Sequence, residues 1–255
     1  QTLGHKVIFL IGDFTARIGD PTGKLDSRIM LSEEQVMQNA QSYKEQAARI
    51  LQFDGPNPIE VKYNSQWLGT MSALEFLQLA HHLSYQQVVE RDMFQERMKR
   101  GQDIYVNEFL YPVMQAYDSV AMNVDLEIGG TDQMFNMLMG RKLMRNMKRK
   151  EKFVMTVPLL TDANGIKIGK TEGNVVGLTD PPDIFFSKIM ALGDDAIINC
   201  FLLLTDLDVE PLKRRLKDGE NPMVLKKELA FELTKQFNTE EEARIAQEHF
   251  EQTFQ

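Results

Sequence analysis

Cysteine and tryptophan occur once each in these 255 residues, as Cys200 and Trp67. A single cysteine excludes an internal disulfide and a thiolate metal cluster, and it fits a reducing compartment. Histidine is scarce too. His5, His81, His82 and His249 share no metal-ligand spacing with carboxylates, so no protein-bound metal is expected. The longest apolar runs, Val7 to Ile11 and Cys200 to Leu204, hold five residues each, against roughly 18 for a membrane helix. No signal-peptide pattern, internal repeat or low-complexity tract is present. The expectation is a cytoplasmic protein with no membrane segment. Excess positive charge is also lacking: the balance of -8 argues against wholesale coating of nucleic acid, although a local basic patch could still grip one. What remains is ordinary globular composition, 43% hydrophobic and 26% charged, enough for one or two domains.

Apolar strands alternate with helical stretches. Val7 to Ile11 predicts a strand, followed by a helix over 32–51, a strand near 59–63 and helices over 71–100. A helix ending near Val120, a strand near 124–128, a helix over 131–149 and a strand near 153–157 come next. That order predicts an α/β domain with a parallel sheet and crossover helices. Ser32 and Gln35 have capping-box spacing for the first long helix. After Pro181-Pro182 the pattern is helical throughout, broken at Gly193, Gly219 and Pro222. An α/β domain over 1–178 and an all-helical domain over 179–255 are therefore expected. Both ends look cut: residue 1 is Gln, and Gln1 to Gly4 reads as the last turn of a helix capped by Gly4.

Four segments offer chemistry, each with a plainer alternative. Gly12 to Lys24 follows the first strand, where α/β domains bind ligands. It is no Walker A loop, because three residues separate Gly19 from Gly23, Leu25 stands where Ser or Thr is required, and Pro21 removes a donor. A tight surface turn fits equally. Tyr111, Gln115 and Asp118 are spaced i, i+4, i+7, which puts a phenol, an amide and a carboxylate on one helix face among apolar neighbours. That face could meet a ligand or simply water. Gly129-Gly130-Thr131-Asp132-Gln133 follows a strand and is expected to open a helix, with N–H groups for an anion and side chains for ribose hydroxyls. Lys167, Lys170 and Thr171 lie in a glycine-flanked loop that could close on a polyphosphate or be a solvated hairpin.

Taken jointly, Lys167-Ile-Gly-Lys170-Thr171 resembles the second signature of class I aminoacyl-tRNA synthetases, usually written KMSKS. Thr15 with Gly19-Asp20-Pro21, Asn64-x-x-Trp67, Tyr111-x-x-x-Gln115-x-x-Asp118 and Gly129-Gly-Thr-Asp132-Gln133 resemble the bacterial-type tyrosyl-tRNA synthetases, in that family's order and over about two thirds of the chain. The resemblance implies a Rossmann-like catalytic domain lacking its first strand region, a helical dimerisation insertion around 68–120, and an α-helical anticodon-binding domain. It implies that Asp20, Tyr111 and Gln115 hold the tyrosine ammonium, that Thr15 and Gln133 line the same pocket, and that Asp118 accepts the phenolic hydroxyl. Gly130 and Asp132 would meet the nucleotide. Lys167, Lys170 and Thr171 would clamp the ATP pyrophosphate, with Lys24 and Arg28 at the mouth of the site. Mg²⁺ would arrive with ATP, and the partners would be L-tyrosine, tRNA(Tyr) and a second copy of the chain.

Two departures from the family pattern stand out: the loop reads KIGKT, and the first, HIGH-type signature is missing. Leu3-Gly4-His5 sits where a helix-to-strand turn belongs, a whole helix too late to be that signature. Seven basic residues crowd 140–152, among them Arg145, Lys148 and Arg149. Contact with a tRNA acceptor stem and a solvated helix face both fit. The methionines of 134–147 read as packing, and Trp67 as packing or interface. Tryptophanyl-tRNA synthetase is the nearest rival enzyme, and a synthetase-derived RNA-binding protein without catalysis is the rival of another class.

Overall fold

The computed structural model describes residues 1–21, 32–161, 168 and 175–254. The chain separates into two compact units, 1–44 with 52–157, and 45–51 with 158–255.

The first unit opens on a turn in which the Gly4 N–H donates to Gln1 O at 2.9 Å, and Gly4 has φ +81°, the left-handed conformation of a helix-capping glycine. Then follow β1 (Ile8–Ile11), α1 (Asp13–Ala16), α2 (Glu33–Ala47), β2 (Glu60–Tyr63) and α3 (Ser65–Leu68). Next come α4 (Ala73–Ala80), α5 (Tyr85–Val89), α6 (Asp92–Lys99), α7 (Val106–Met122), β3 (Leu126–Gly130), α8 (Met134–Leu143) and β4 (Phe153–Val157). Ser32 and Gln35 form the expected capping box, at 2.9 and 3.2 Å. Ser72 with Glu75, and Ser84 with Gln87, cap α4 and α5 in the same way.

Both strand pairs are parallel, as α/β order requires. Ile8 lies opposite Glu60 and Ile11 opposite Tyr63, while Leu126 lies opposite Phe153 and Gly130 opposite Val157. Among the described residues the two pairs are not hydrogen-bonded to each other.

One expected helix is divided. Gly129 and Gly130 stay in β3 as ladder partners of Thr156 and Val157, so no helix can start on them. A 3₁₀ turn over Thr131–Gln133 intervenes before α8, and a π-helical turn over Met144–Lys148 follows it, ended by Arg149 at φ +54°. Asp132 and Gln133 therefore sit in the 3₁₀ turn and not in the first turn of an α-helix.

The core of this unit joins Leu79 of α4, Val113, Ala116 and Val120 of α7, and Met139 and Leu143 of α8, with Met144 beside them. Met137, Met139 and Met144 are buried and Met134 and Met147 exposed, so packing accounts for part of that methionine-rich stretch. One buried ion pair and one half-buried pair anchor the two ends of α7. At its start, Arg97 of α6 holds Glu108 with bonds of 2.5 and 3.0 Å, and Glu108 also accepts the Tyr105 N–H at 2.9 Å. Near its end, the fully buried Lys152 pairs with Glu127 of β3 and donates to Ser119 Oγ at 2.9 Å and to Met137 O at 3.0 Å. Lys152 thus ties α7, α8 and β3 together.

The second unit contains α9 (Pro182–Met190), α10 (Ile197–Leu204), α11 (Val209–Lys217), α12 (Pro222–Phe237) and α13 (Glu240–Phe254). Proline opens α9 and α12, where a missing N–H is no loss. Phe185 and Phe186 of α9, Ile197, Cys200 and Phe201 of α10, and Leu225, Leu229 and Leu233 of α12 form its core. Burial pushes the Cys200 thiol up to about 11, which makes it inert. Leu160, Ile168, Val176 and Leu178 pack on this core. The compact units consequently divide at 157/158, whereas the composition change lies near 178–182.

Candidate active site

The helix α1, the start of α3 and the C-terminal half of α7 meet around Asp118, a carboxylate only 4% exposed. Its Oδ1 accepts the Trp67 indole N–H at 2.7 Å, and its Oδ2 accepts from Asn64 Nδ2 at 3.3 Å. Asn64 is fully buried. Its Nδ2 also donates to Thr15 Oγ1 at 3.0 Å, and its Oδ1 accepts the Phe14 N–H at 2.9 Å. The Asn64 N–H closes on Ile11 O at 3.1 Å, so parallel pairing of β1 with β2 delivers Asn64 to this spot. Burial pushes the Asp118 carboxyl up to about 7. The bonds from Trp67 and Asn64 oppose that rise, while the nearby carboxylates Glu127 and Asp13 add to it.

A second polar cluster shares α7. Gln133 Nε2 donates to Asp20 Oδ2 at 2.9 Å, and Asn136 Nδ2 donates to Gln115 Oε1 at 2.8 Å and to Gln133 Oε1 at 3.3 Å. The helix α7 runs unbroken through Pro112, which puts the half-buried Tyr111 and Gln115 on the same face as Asp118. Gly130 ends β3, and Asp132 stands in the turn just beyond it. The structure therefore brings Thr15 to Asp118 through Asn64, and Asp20 to Gln133 and Gln115 through Asn136.

These two clusters suit different groups. Carbonyl and carboxylate oxygens of Asp20, Gln115 and Gln133 make an acceptor-rich patch fit for an ammonium ion. An ionised Asp118, about one helical turn away along α7, fits a hydroxyl donor. A small molecule carrying a cation at one end and a hydroxyl at the other can engage both. A separate apolar cleft of about 220 Å³, lined by Phe14, Ile18, Leu68, Phe76, Leu110 and Met114 among others, holds none of the candidate residues.

Asn64, Trp67 and Asn136 are the polar partners whose part in the site the sequence does not reveal. Asn64 and Trp67 stand in a quoted motif, but their bond to Asp118 spans more than fifty residues. Asn136 carries no sequence signal at all. Lys24, Arg28, Lys167, Lys170 and Thr171 lie outside the described residues. In the basic stretch, Glu151 binds both Arg141 (2.6 Å) and Arg145 (2.9 Å), and Asp125 binds Lys150 at 2.7 Å. Lys148 and Arg149 are exposed at the end of the π-helical turn. Among the described residues no cluster of three or more His, Cys, Asp or Glu is placed to hold a metal ion, and no helix is long and apolar enough to cross a membrane.

A family model described as tRNA synthetases class I (W and Y) matches residues 1–255. The tyrosine–tRNA ligase of Thermotoga maritima is 44% identical over 260 residues, and that of Aquifex aeolicus 44% over 255. Each alignment covers 100% of this chain and 64% of the relative, so the chain spans just under two thirds of their length. Among solved structures, a C-terminally truncated mitochondrial tyrosyl-tRNA synthetase from Aspergillus nidulans aligns with TM-score 0.74 at 24% identity, covering 99% of this chain and 78% of that one. The Archaeoglobus fulgidus tyrosyl-tRNA synthetase, solved with L-tyrosine, aligns with TM-score 0.68 at 21% identity over 95% of this chain and 80% of that one. At these identities the structural matches establish the Rossmann-like α/β fold with its helical companion.

Proposed function

The chain belongs to the class I tRNA synthetases of the tryptophan and tyrosine family, and from that premise we propose that it activates L-tyrosine with ATP and transfers it to tRNA(Tyr). The observation that carries tyrosine is Asp118: a buried carboxylate, held by donors on both oxygens, whose remaining lone pairs can only accept. A phenolic O–H satisfies it. Phenylalanine would leave a buried charge without that partner, and such desolvation is costly. The tyrosine–tRNA ligases at 44% identity over the whole chain support tyrosine over tryptophan.

In the proposed mechanism Asp20, Tyr111 and Gln115 hold the ammonium, with Thr15 and Gln133 lining the pocket. A carboxylate oxygen of tyrosine attacks the α-phosphorus of ATP, the bond to the bridging oxygen breaks, and pyrophosphate leaves with the electron pair. Gly130 lets the nucleotide approach and Asp132 binds its ribose. Lys167, Lys170 and Thr171, with Lys24 and Arg28, stabilise charge growing on the leaving pyrophosphate. Mg²⁺ enters as part of the nucleotide substrate. A terminal ribose hydroxyl of the tRNA then attacks the tyrosyl carbonyl and AMP departs. Catalysis is positioning and electrostatics, with no covalent enzyme intermediate.

The segment 68–120 supplies the dimer contact in this reading, supported by the exposed Leu74, Leu77, Tyr85 and Val106. Arg145, Lys148 and Arg149 meet tRNA backbone phosphates, and residues 179–255 contact the anticodon region. The lone, buried cysteine supports a cytoplasmic setting. The test is ATP–pyrophosphate exchange by the protein made from its complete reading frame, with tyrosine, phenylalanine and tryptophan tried separately. Exchange with tyrosine alone is expected. Silence with all three would overturn the enzyme and leave an RNA-binding descendant.

A further inference from the structure

Asn136 lies in the first turn of α8, is 1% exposed, and belongs to no motif quoted for the family resemblance. Its Nδ2 donates to the carbonyl oxygens of two glutamines on different elements, Gln115 on α7 and Gln133 in the 3₁₀ turn. Its Oδ1 is buried with no hydrogen-bond partner among the described residues. A carboxamide can turn over and exchange its donor and acceptor ends at little steric cost, so two glutamines alone define no fixed polarity. Here the polarity is set in sequence. An ionised Asp20 only accepts, so Gln133 must present Nε2 to it and Oε1 to Asn136. Asn136 must then answer with Nδ2, and the same amino group obliges Gln115 to turn its Oε1 inward.

We propose that Asn136 is a positioning residue: it locks the Gln115 and Gln133 carboxamides in the orientation that makes their cluster with Asp20 accept an ammonium ion. The assignment rests on the tyrosine-activating reading and adds a residue to it. Reversing either glutamine would aim N–H donors at a cation. Asn136 prevents this, because two amino groups would then face each other. The helix α8 itself carries Arg141, paired with Glu151, and Lys142, which donates to Gln87; packed around it are Asp20, reached through Gln133; Arg91, whose charge interacts with Asp20 and whose guanidinium lies 4.7 Å from the centre of the Phe135 ring; Asp132 in the preceding turn; Asp118 on α7; and Lys152 with Glu127, where Lys152 bonds Met137 O.

The discriminating variant is Asn136→Asp, which keeps the shape and replaces the donor by an acceptor. In tyrosine-dependent exchange its KM should rise about 10-fold or more over wild type, the effect of losing roughly 1.4 kcal/mol of binding, with kcat changed far less. Burial raises the new carboxyl's pKa, so lowering the pH returns a proton and a donor O–H. The ratio of variant to wild-type KM should therefore shrink from pH 8.5 to pH 6, a comparison that cancels the titration of Asp118. Asn136→Ala should raise KM by a ratio that does not move with pH. Inhibition by 3-(4-hydroxyphenyl)propionate, which lacks the ammonium, should be unchanged in both variants. A KM within twofold of wild type, a ratio for Asn136→Asp insensitive to pH, or an equal loss of affinity for the deaminated analogue would overturn the proposal. If Asn136→Asp does not fold, an unchanged KM in Asn136→Ala overturns it instead. Absence of tyrosine exchange in the wild-type protein is the separate result that would remove the underlying function.

Discussion

Asp118 is a carboxyl whose chemistry depends on its surroundings. Burial lifts it from an ordinary 3.8 to about 7, so between those values the native protein keeps a proton that the unfolded chain has lost. Native stability therefore falls as pH rises through that window, and holding the ionised carboxylate above it costs on the order of 4 kcal/mol at about 1.4 kcal/mol per unit. The ionised form is the one that reads a hydroxyl. Tyrosine-dependent kcat/KM in exchange is accordingly expected to rise with pH through about 7, and a flat profile from pH 6 to 8 would contradict this. Trp67→Phe removes a bond that favours the charged form, so the midpoint should move to higher pH. The spacing of Tyr111, Gln115 and Asp118 is legible in the sequence because one continuous helix carries all three. Their partners are not: Asn64 and Trp67 reach Asp118 only after β1 and β2 have paired, and Asn136 is a single polar residue among methionines.

Among the elements, α7 carries the face proposed to select tyrosine, and the buried Arg97–Glu108 pair together with the Lys152 bond to Ser119, rather than surface charges, holds it in register. Arg97 and Glu108 have side chains 2% and 5% exposed, whereas Arg100 and Glu96 are more than half exposed and 3.9 Å apart. Arg97→Ala strands Glu108 and should cost about 3–5 kcal/mol in urea unfolding. Arg100→Ala should cost about 0.5 kcal/mol or less. Equal effects would show that α6 and α7 do not depend on the buried pair. Capping spacing and alternating strand–helix order make most of these elements readable in advance. The exception follows β3, where glycines that looked like a helix start are engaged in the ladder with β4. A local pattern cannot reveal that commitment, because the partner strand lies over twenty residues away.

At the scale of the whole molecule, the proposed function combined with a net charge of -8 requires that tRNA be gripped locally. Glu151 already binds Arg141 and Arg145, which leaves the exposed Lys148 better placed to meet a phosphate. Lys148→Ala should weaken tRNA binding alike for all sequences and reduce the slope of log K against log salt by about 1; an unchanged slope would place the RNA elsewhere. The run of helices from Pro182 onward is legible in the sequence. The compact division earlier in the chain is not, because Leu160, Ile168, Val176 and Leu178 join a core assembled from residues after 182. Selection of tyrosine remains the central claim. Its most direct test is the ratio of kcat/KM for tyrosine over phenylalanine in ATP–pyrophosphate exchange, measured for wild type and Asp118→Ala. A strong wild-type preference that falls by at least about 10-fold in the variant, as losing a hydrogen bond to a charged group requires, is the expected result. A ratio that is unchanged by the substitution, or a wild-type protein that does not discriminate, would contradict it.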